Sequence, residues 1–273
     1  MPVRLDTIRD EQEIVGRAFA SLAARRRSPL RILEAGCGRR WLVDMTGIPH
    51  AITGIDLDER ALTHRRTVVG DLHHAVHGDL STVEFAAASF DAIYSAYVLE
   101  HVRGADHVLE RFASWLAPGG LLVIKIPDRG SVVGWLTRML PFRLHVAFYR
   151  YLAEDRDAGK PGHAPYPVFH EPVIALRGIR EFCARHGLRI AGEHGMDFGY
   201  HYRHLKLSAF QRLKLRSVEF LIRAAGVLSL GTLVSRYGGL LFIIEKPECG
   251  PGRARGRISC HEKDLTDPAG QRI

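Results

Sequence analysis

Arg31-Ile32-Leu33-Glu34-Ala35-Gly36-Cys37-Gly38 is the stretch from which the rest of the chain is read. The apolar run Leu30 to Leu33 lies between Pro29 and Gly36, which predicts a short buried strand. The glycines follow where the chain must turn out of a sheet; they permit positive φ and a close approach of ligand to backbone. Glu34 stands at the carboxyl end of the strand, the edge at which open parallel sheets bind ligands. Taken alone, a tight strand-to-helix turn explains the glycines equally well.

The order of features downstream favours the ligand. A second strand, Ala51 to Ile55, runs into Asp56, about 20 residues past the glycines, where a carboxylate can accept both hydroxyls of a ribose. Val68-Val69-Gly70-Asp71-Leu72 reads as a third strand ending in an acid. Ser89-Phe90-Asp91-Ala92-Ile93-Tyr94-Ser95 follows, then a helix bearing Val98-Leu99-Glu100-His101-Val102, then Leu116-Ala117-Pro118-Gly119-Gly120 before the strand Leu121 to Ile126.

This ordered set, from about Arg31 to Asp128, resembles the class I S-adenosylmethionine-dependent methyltransferases, in particular the small-molecule group called type 11. The resemblance implies a Rossmann-like α/β fold: a seven-stranded, mostly parallel sheet with helices on both faces, plus a helical lid insertion. It implies S-adenosyl-L-methionine as cofactor, with Glu34, Gly36 and Gly38 at its methionine end. It puts Asp56 on the ribose, Leu57 against the adenine and Asp71 at the adenine amino group, with Leu72 and Ser95 completing the set. Asp71 is chosen over Asp79 because two valines precede it. One position departs from the family: Arg40 stands where a third glycine is common.

The chain has 273 residues, 46% hydrophobic and 25% charged, with a formal charge of +8 and a pI near 9.6. That size holds one ordinary domain with an elaboration. A basic balance suits anionic partners, or simply a solvated basic surface. The four cysteines, Cys37, Cys183, Cys249 and Cys260, form no metal-ligand spacing, so no metal site is expected. Free thiols fit a cytoplasmic location. No signal peptide is read at the start, and no stretch has the apolar length of a membrane span.

Along the chain, an amphipathic helix is expected over 7–26, with Thr7 and Asp10 as a capping pair. Strands are expected near 30–35, 51–56, 67–70, 90–95 and 121–126, and a helix over 105–117. Residues 129–172 are rich in aromatics, histidine and proline and are too long for a plain loop; they are read as the lid. A helix over 174–186, a strand near 188–194, one or two helices within 205–236 and an antiparallel edge strand 239–245 complete a domain of residues 1–247. The Gly-, Arg- and Pro-rich segment 248–273 reads as a disordered tail.

Methyl transfer from a sulfonium needs alignment and exclusion of water, and a base only where the acceptor must lose a proton. His101 is the candidate base, with packing as its competing role. Asp128, His163 and His170 are placed on the acceptor side. The aromatic lid and the basic helices 203–223 point to a small-molecule or lipid-like acceptor, methylated on oxygen, and to peripheral membrane contact. An RNA methyltransferase is a weaker reading. Enzymes that methylate exocyclic base nitrogens carry an Asn- or Asp-Pro-Pro-aromatic motif where this chain has Tyr94-Ser95-Ala96-Tyr97. A non-catalytic module that keeps the fold is the third.

Overall fold

The structure is a computed structural model. It describes residues 1–151, 156–160, 166–169, 171–200, 202–203, 207–230, 232–233 and 236–248. His163, His170, Cys249, Cys260 and the tail 249–273 lie outside the described residues. One eight-stranded sheet organises the chain, in the order β1-β7-β8-β6-β5-β2-β3-β4. The strands are β1 (Val3–Leu5), β2 (Leu30–Ala35), β3 (His50–Asp56), β4 (His74–His77), β5 (Phe90–Ala96), β6 (Leu116–Pro127), β7 (Arg189–Met196) and β8 (Gly239–Glu245). The helices are α1 (Ile8–Arg26), α2 (Glu59–His64), α3 (Ala105–Trp115), α4 (Val132–Met139), α5 (Phe142–Tyr151), α6 (Leu176–Arg185) and α7 (Ala209–Leu228).

The sheet carries one strand more than the seven expected, because Val3–Leu5 adds in parallel to β7. The last strand is not at the edge. β8 lies between β6 and β7 and is antiparallel to both, so β1 and β4 form the rims. Alternation along the central strands divides the core in two. Leu33, Ile93, Leu122 and Phe242 pack under α3 and α6, while Ile32, Tyr94, Val123 and Leu241 pack under α1. α1 begins with the expected capping box, in which the Thr7 hydroxyl accepts from the Asp10 N–H and Asp10 accepts from the Thr7 N–H.

The third strand is displaced from its expected place. Asp58 caps α2, which runs on through a π turn over Arg65–Val69 and ends at Gly70, φ 75°. Val68 and Val69 are exposed helical residues, and β4 forms at His74–His77 instead. As a rim strand, β4 needs little apolar character, and the sequence His-Ala-Val-His shows little. The helix expected at Val98–Val102 is a single 3₁₀ turn, Leu99–His101.

Candidate functional site

Strand order reverses between β2 and β5: β3 and β4 lie to one side of β2, and β5, β6 and β8 to the other. Helices feeding opposite faces leave a crevice at the carboxyl ends of such a pair. Ala35 lies in register with Ser95 and Ile55, so the glycine turn opens there. Gly36 has φ 68°, and a Cβ on it would lie 2.2 Å from a methyl of Val98. Any side chain would push the turn off the chain leaving β5. The Gly36 and Cys37 N–H groups both donate to the Ile55 carbonyl, at 2.8 and 3.1 Å. Gly38 faces open space, and its N–H donates to Asp56 at 2.8 Å.

Asp56 is thus tied to the turn it faces. Its other oxygen accepts from the Asp58 N–H at 2.9 Å, and the carboxylate keeps partial exposure. Leu57 beside it is 69% exposed, a large apolar side chain left uncovered at the crevice. Asp71 does not follow a strand. It accepts from Arg65 Nε at 2.8 Å at the far end of the π turn. The acid at the carboxyl end of β4 is Asp79, exposed and accepting from the Ser81 N–H and hydroxyl at 2.8 Å. The premise for preferring Asp71 to Asp79 is therefore corrected. Leu72 is buried in the α1-side core against Gly54, where a Cβ would come within 2.8 Å of it. Arg40 is exposed and leaves the turn clear.

Arg65 is the site residue that the sequence reading missed. It is wholly buried and bonded through all three nitrogens: Nη2 donates to Glu34 at 2.8 Å, Nη1 to the Cys37 carbonyl at 2.7 Å and Nε to Asp71. Burial pushes the Glu34 carboxyl up to about 7, and Arg65 pulls against that rise. Burial disfavours the guanidinium charge too, but the hydrogen bonds to Glu34 and Asp71 outweigh it and the Arg65 value is raised. Ser95 is buried at the end of β5, and its hydroxyl has no hydrogen-bond partner; nor does the buried indole N–H of Trp41. Trp41 stacks on Phe19 and meets Tyr94 edge-on, 5.2 Å between centroids.

On the other side of the crevice, His101 Nδ1 lies 2.7 Å from the Pro167 carbonyl. A carbonyl only accepts, so Nδ1 carries the hydrogen and Nε2 keeps its lone pair. Burial lowers the His101 value, against the pull of that hydrogen bond, so the ring is neutral near pH 7. Tyr166 meets the ring edge-on. Glu100, buried beside it, is raised to about 8 by burial, and its Oε2 has no partner. Asp128 closes the end of β6 but is buried, accepting from the Gly130 N–H at 2.9 Å. Burial raises its value against backbone hydrogen bonds from Gly130 and Leu176. It serves as a turn residue holding the starts of α4 and α6.

The sequence profile of a methyltransferase-domain family matches residues 8–191, from α1 through this crevice into β7. The chain belongs to that methyltransferase family. A Mycolicibacterium smegmatis protein named as a probable S-adenosylmethionine-dependent methyltransferase is 29% identical over 161 residues, covering 57% of this chain and 60% of that protein. The chain thus spans under two thirds of that relative's length. A ubiquinone biosynthesis O-methyltransferase of Maricaulis maris is 28% identical over 211 residues, covering 70% of this chain and 81% of that protein. The crystal structure of a candidate sarcosine dimethylglycine methyltransferase from Galdieria sulphuraria shares the fold. Its TM-score is 0.50 at 15% identity, covering 85% of this chain and 86% of that one.

The residues of this chain fit S-adenosylmethionine, the cofactor named for its relatives. Asp56 and Asp79 are acceptors for hydroxyl and amino groups, Leu57 is an uncovered apolar surface, Gly38 is open, and Ser95 has an unused buried hydroxyl. A second cluster that the sequence reading missed lies at the same end of the sheet, where Lys125 is in register with Ala96. Lys125 Nζ of β6 contacts Glu11 of α1 at 2.6 Å, and the Tyr200 hydroxyl donates to the same carboxylate. The ammonium lies 5.0 Å from the ring centroids of Tyr97 and Tyr200. Among the described residues no group of His, Cys, Asp and Glu has the arrangement of a metal site.

Proposed function

We propose that this chain is an S-adenosylmethionine-dependent O-methyltransferase of a small-molecule acceptor. The carrying observation is the crevice at the β2–β5 reversal, where the glycine turn and Asp56 are bonded into one unit beside exposed Leu57. Asp56 would take the ribose hydroxyls, Leu57 the adenine face and Asp79 the adenine amino group, with Glu34 and Gly38 toward the methionine end. The O-methyltransferase from Maricaulis maris supports oxygen as the acceptor atom.

The cofactor's sulfonium supplies an activated methyl group. The protein's part is to align the acceptor oxygen and keep water out. His101 Nε2 is the proton acceptor for a hydroxyl, because its ring is neutral and the other nitrogen is fixed by Pro167. Glu100, largely protonated near neutral pH, adds no competing charge beside it.

Arg65 favours a second reading, a module that keeps the fold without turnover, because an internal cation already holds Glu34. Calorimetry with S-adenosylmethionine, followed by radiolabelled methyl transfer to phenolic and carboxylate acceptors, separates the two. Binding with transfer to oxygen supports the enzyme, and His101→Gln should then lower single-turnover transfer by roughly 10²–10⁴ while keeping cofactor affinity. Binding without transfer across the panel supports the module. No binding ends both.

A further inference from the structure

α7 is apolar on two opposite faces, and only one of them is packed. Gln211, Leu215, Val218, Ile222 and Gly226 turn toward the protein, with Ile222 and Gly226 buried. At about 100° per residue the opposite face carries Phe210, Leu213, Phe220, Leu221, Val227 and Leu228. Their exposures run from 62% to 81%. They run along one side of a helix of 20 residues, roughly 30 Å long at about 1.5 Å per residue, with exposed Ser217 between Leu213 and Phe220, its hydroxyl returned to the Leu213 carbonyl. Scattered exposed leucines are ordinary; a stripe at helical spacing with two exposed phenylalanines marks an interaction surface.

The flanks of the stripe indicate what it meets. Arg212, Arg216 and Arg223 are exposed along one border, and Lys214 lies on the other, its ammonium 4.6 Å from the Phe210 ring centroid. The sole acid of α7, Glu219, is turned inward and lies 3.6 Å from Arg223. α4 packs beside α7, and the chain from the end of α4 into α5 exposes Met139, Phe142 and Leu144 next to Arg138 and Arg143 in sequence. An apolar stripe between basic borders is complementary to the boundary of an anionic bilayer, where apolar side chains enter the acyl region and arginines meet phosphate. A second copy of a chain with charge +8 brings like charges together. The segment 249–273, polar and basic with Ile258, Leu265 and Ile273 as its large aliphatics, is a poor apolar cover.

We propose that the exposed face of α7 docks this protein on anionic membrane surface, lying in the interface. No described helix is long and apolar enough to cross a bilayer. The proposal does not depend on the acceptor or on turnover.

The test is flotation of the full chain with vesicles of phosphatidylcholine alone or mixed with phosphatidylglycerol, at low and high salt. The wild type should float with the mixed vesicles and be released by salt. Phe220→Glu/Leu228→Glu should lower the bound fraction about tenfold with the melting temperature unchanged, since both side chains already face solvent. Should that variant misfold, Arg212→Gln/Arg216→Gln/Arg223→Gln tests the same surface through its border and should fall by a similar factor. Failure of the wild type to float with the mixed vesicles overturns the proposal. So does unchanged flotation of a folded variant, which would move the contact to the basic tail. A concentration-dependent dimer in sedimentation velocity, abolished by the glutamates, would make a second copy the occupant and would also overturn it.

Discussion

Two buried cations lie on the α1 side of the same sheet, and their surroundings differ. Lys125 has one carboxylate, Glu11, which a tyrosine hydroxyl also holds, and both charged groups are under 5% exposed. Arg65 has two carboxylates and a backbone carbonyl, and Asp71 keeps a quarter of its side-chain surface open to water. The Lys125 cluster joins α1, β6 and the turn around Tyr200, and it is sealed. The Arg65 cluster joins the π turn to Glu34 and to the glycine turn, and it borders the crevice. Removing one partner of a sealed pair leaves an uncompensated buried charge, whereas a hydrated member can be solvated or protonated instead.

The largest effect should come from breaking the sealed pair. Lys125→Met leaves Glu11 charged in the core and should cost about 3–5 kcal/mol in urea unfolding, with Lys125→Met/Glu11→Leu recovering most of it. A loss below about 1 kcal/mol in the single variant would show that water reaches Glu11 and that the two clusters are alike.

Arg65→Met should cost less, about 2–3 kcal/mol, because Asp71 can hydrate and Glu34 can take a proton. It should also change the pH dependence of cofactor binding, which Lys125→Met should not. Equal cofactor behaviour in the two variants would break the contrast.

The crevice itself is tested by three alanines. Asp56→Ala should weaken S-adenosylmethionine binding by about 1.5–3 kcal/mol in calorimetry, the range for a lost charge-assisted hydrogen bond. Asp79→Ala should weaken it by about 1 kcal/mol, and Asp71→Ala by less. The reverse order for the last two would return the adenine to Asp71.

A pH-dependent effect concerns Glu100, buried like Glu11 but facing only the neutral His101 ring, 4.0 Å from its Nε2. Its folded value near 8 lies above the ordinary 4.5. The protonated form is therefore the one folding favours. Its contribution is fully present below about pH 4.5 and is lost as pH rises through 8. In melting curves Glu100→Gln should gain steadily on the wild type as pH rises from about 5 to about 8, then hold its lead. Parallel curves would mean that the carboxylate is solvated when charged.

Much of the frame is legible in the chain. Thr7 and Asp10 announce α1, the run Leu30–Leu33 announces β2, and Gly36 and Asp56 announce the crevice, because caps, apolar runs and turn glycines act over a few residues. The place of β4 is not legible in the same way. Val68 and Val69 have strand propensity, yet Asp58 and Gly70 bracket them as helix. Once that bracket is recognised, Ala61, Leu62 and Arg65 share one face, and an arginine there calls for a buried acid.

The sequence by itself determined α1, the strands β2, β3, β5 and β6 and the glycine turn, while the family entered as the resemblance of its ordered motifs. The local elements follow from periodicity, capping and turn chemistry along a short stretch of chain. Only the tertiary structure decided which charges meet: Arg65 with Glu34 from 31 residues away, and Lys125 with Glu11 from 114. It also decided which face of α7 stays bare. The reason is physical. Propensity is read along the chain, whereas the cost of burying a charge or exposing an apolar face depends on neighbours that sequence distance does not reveal.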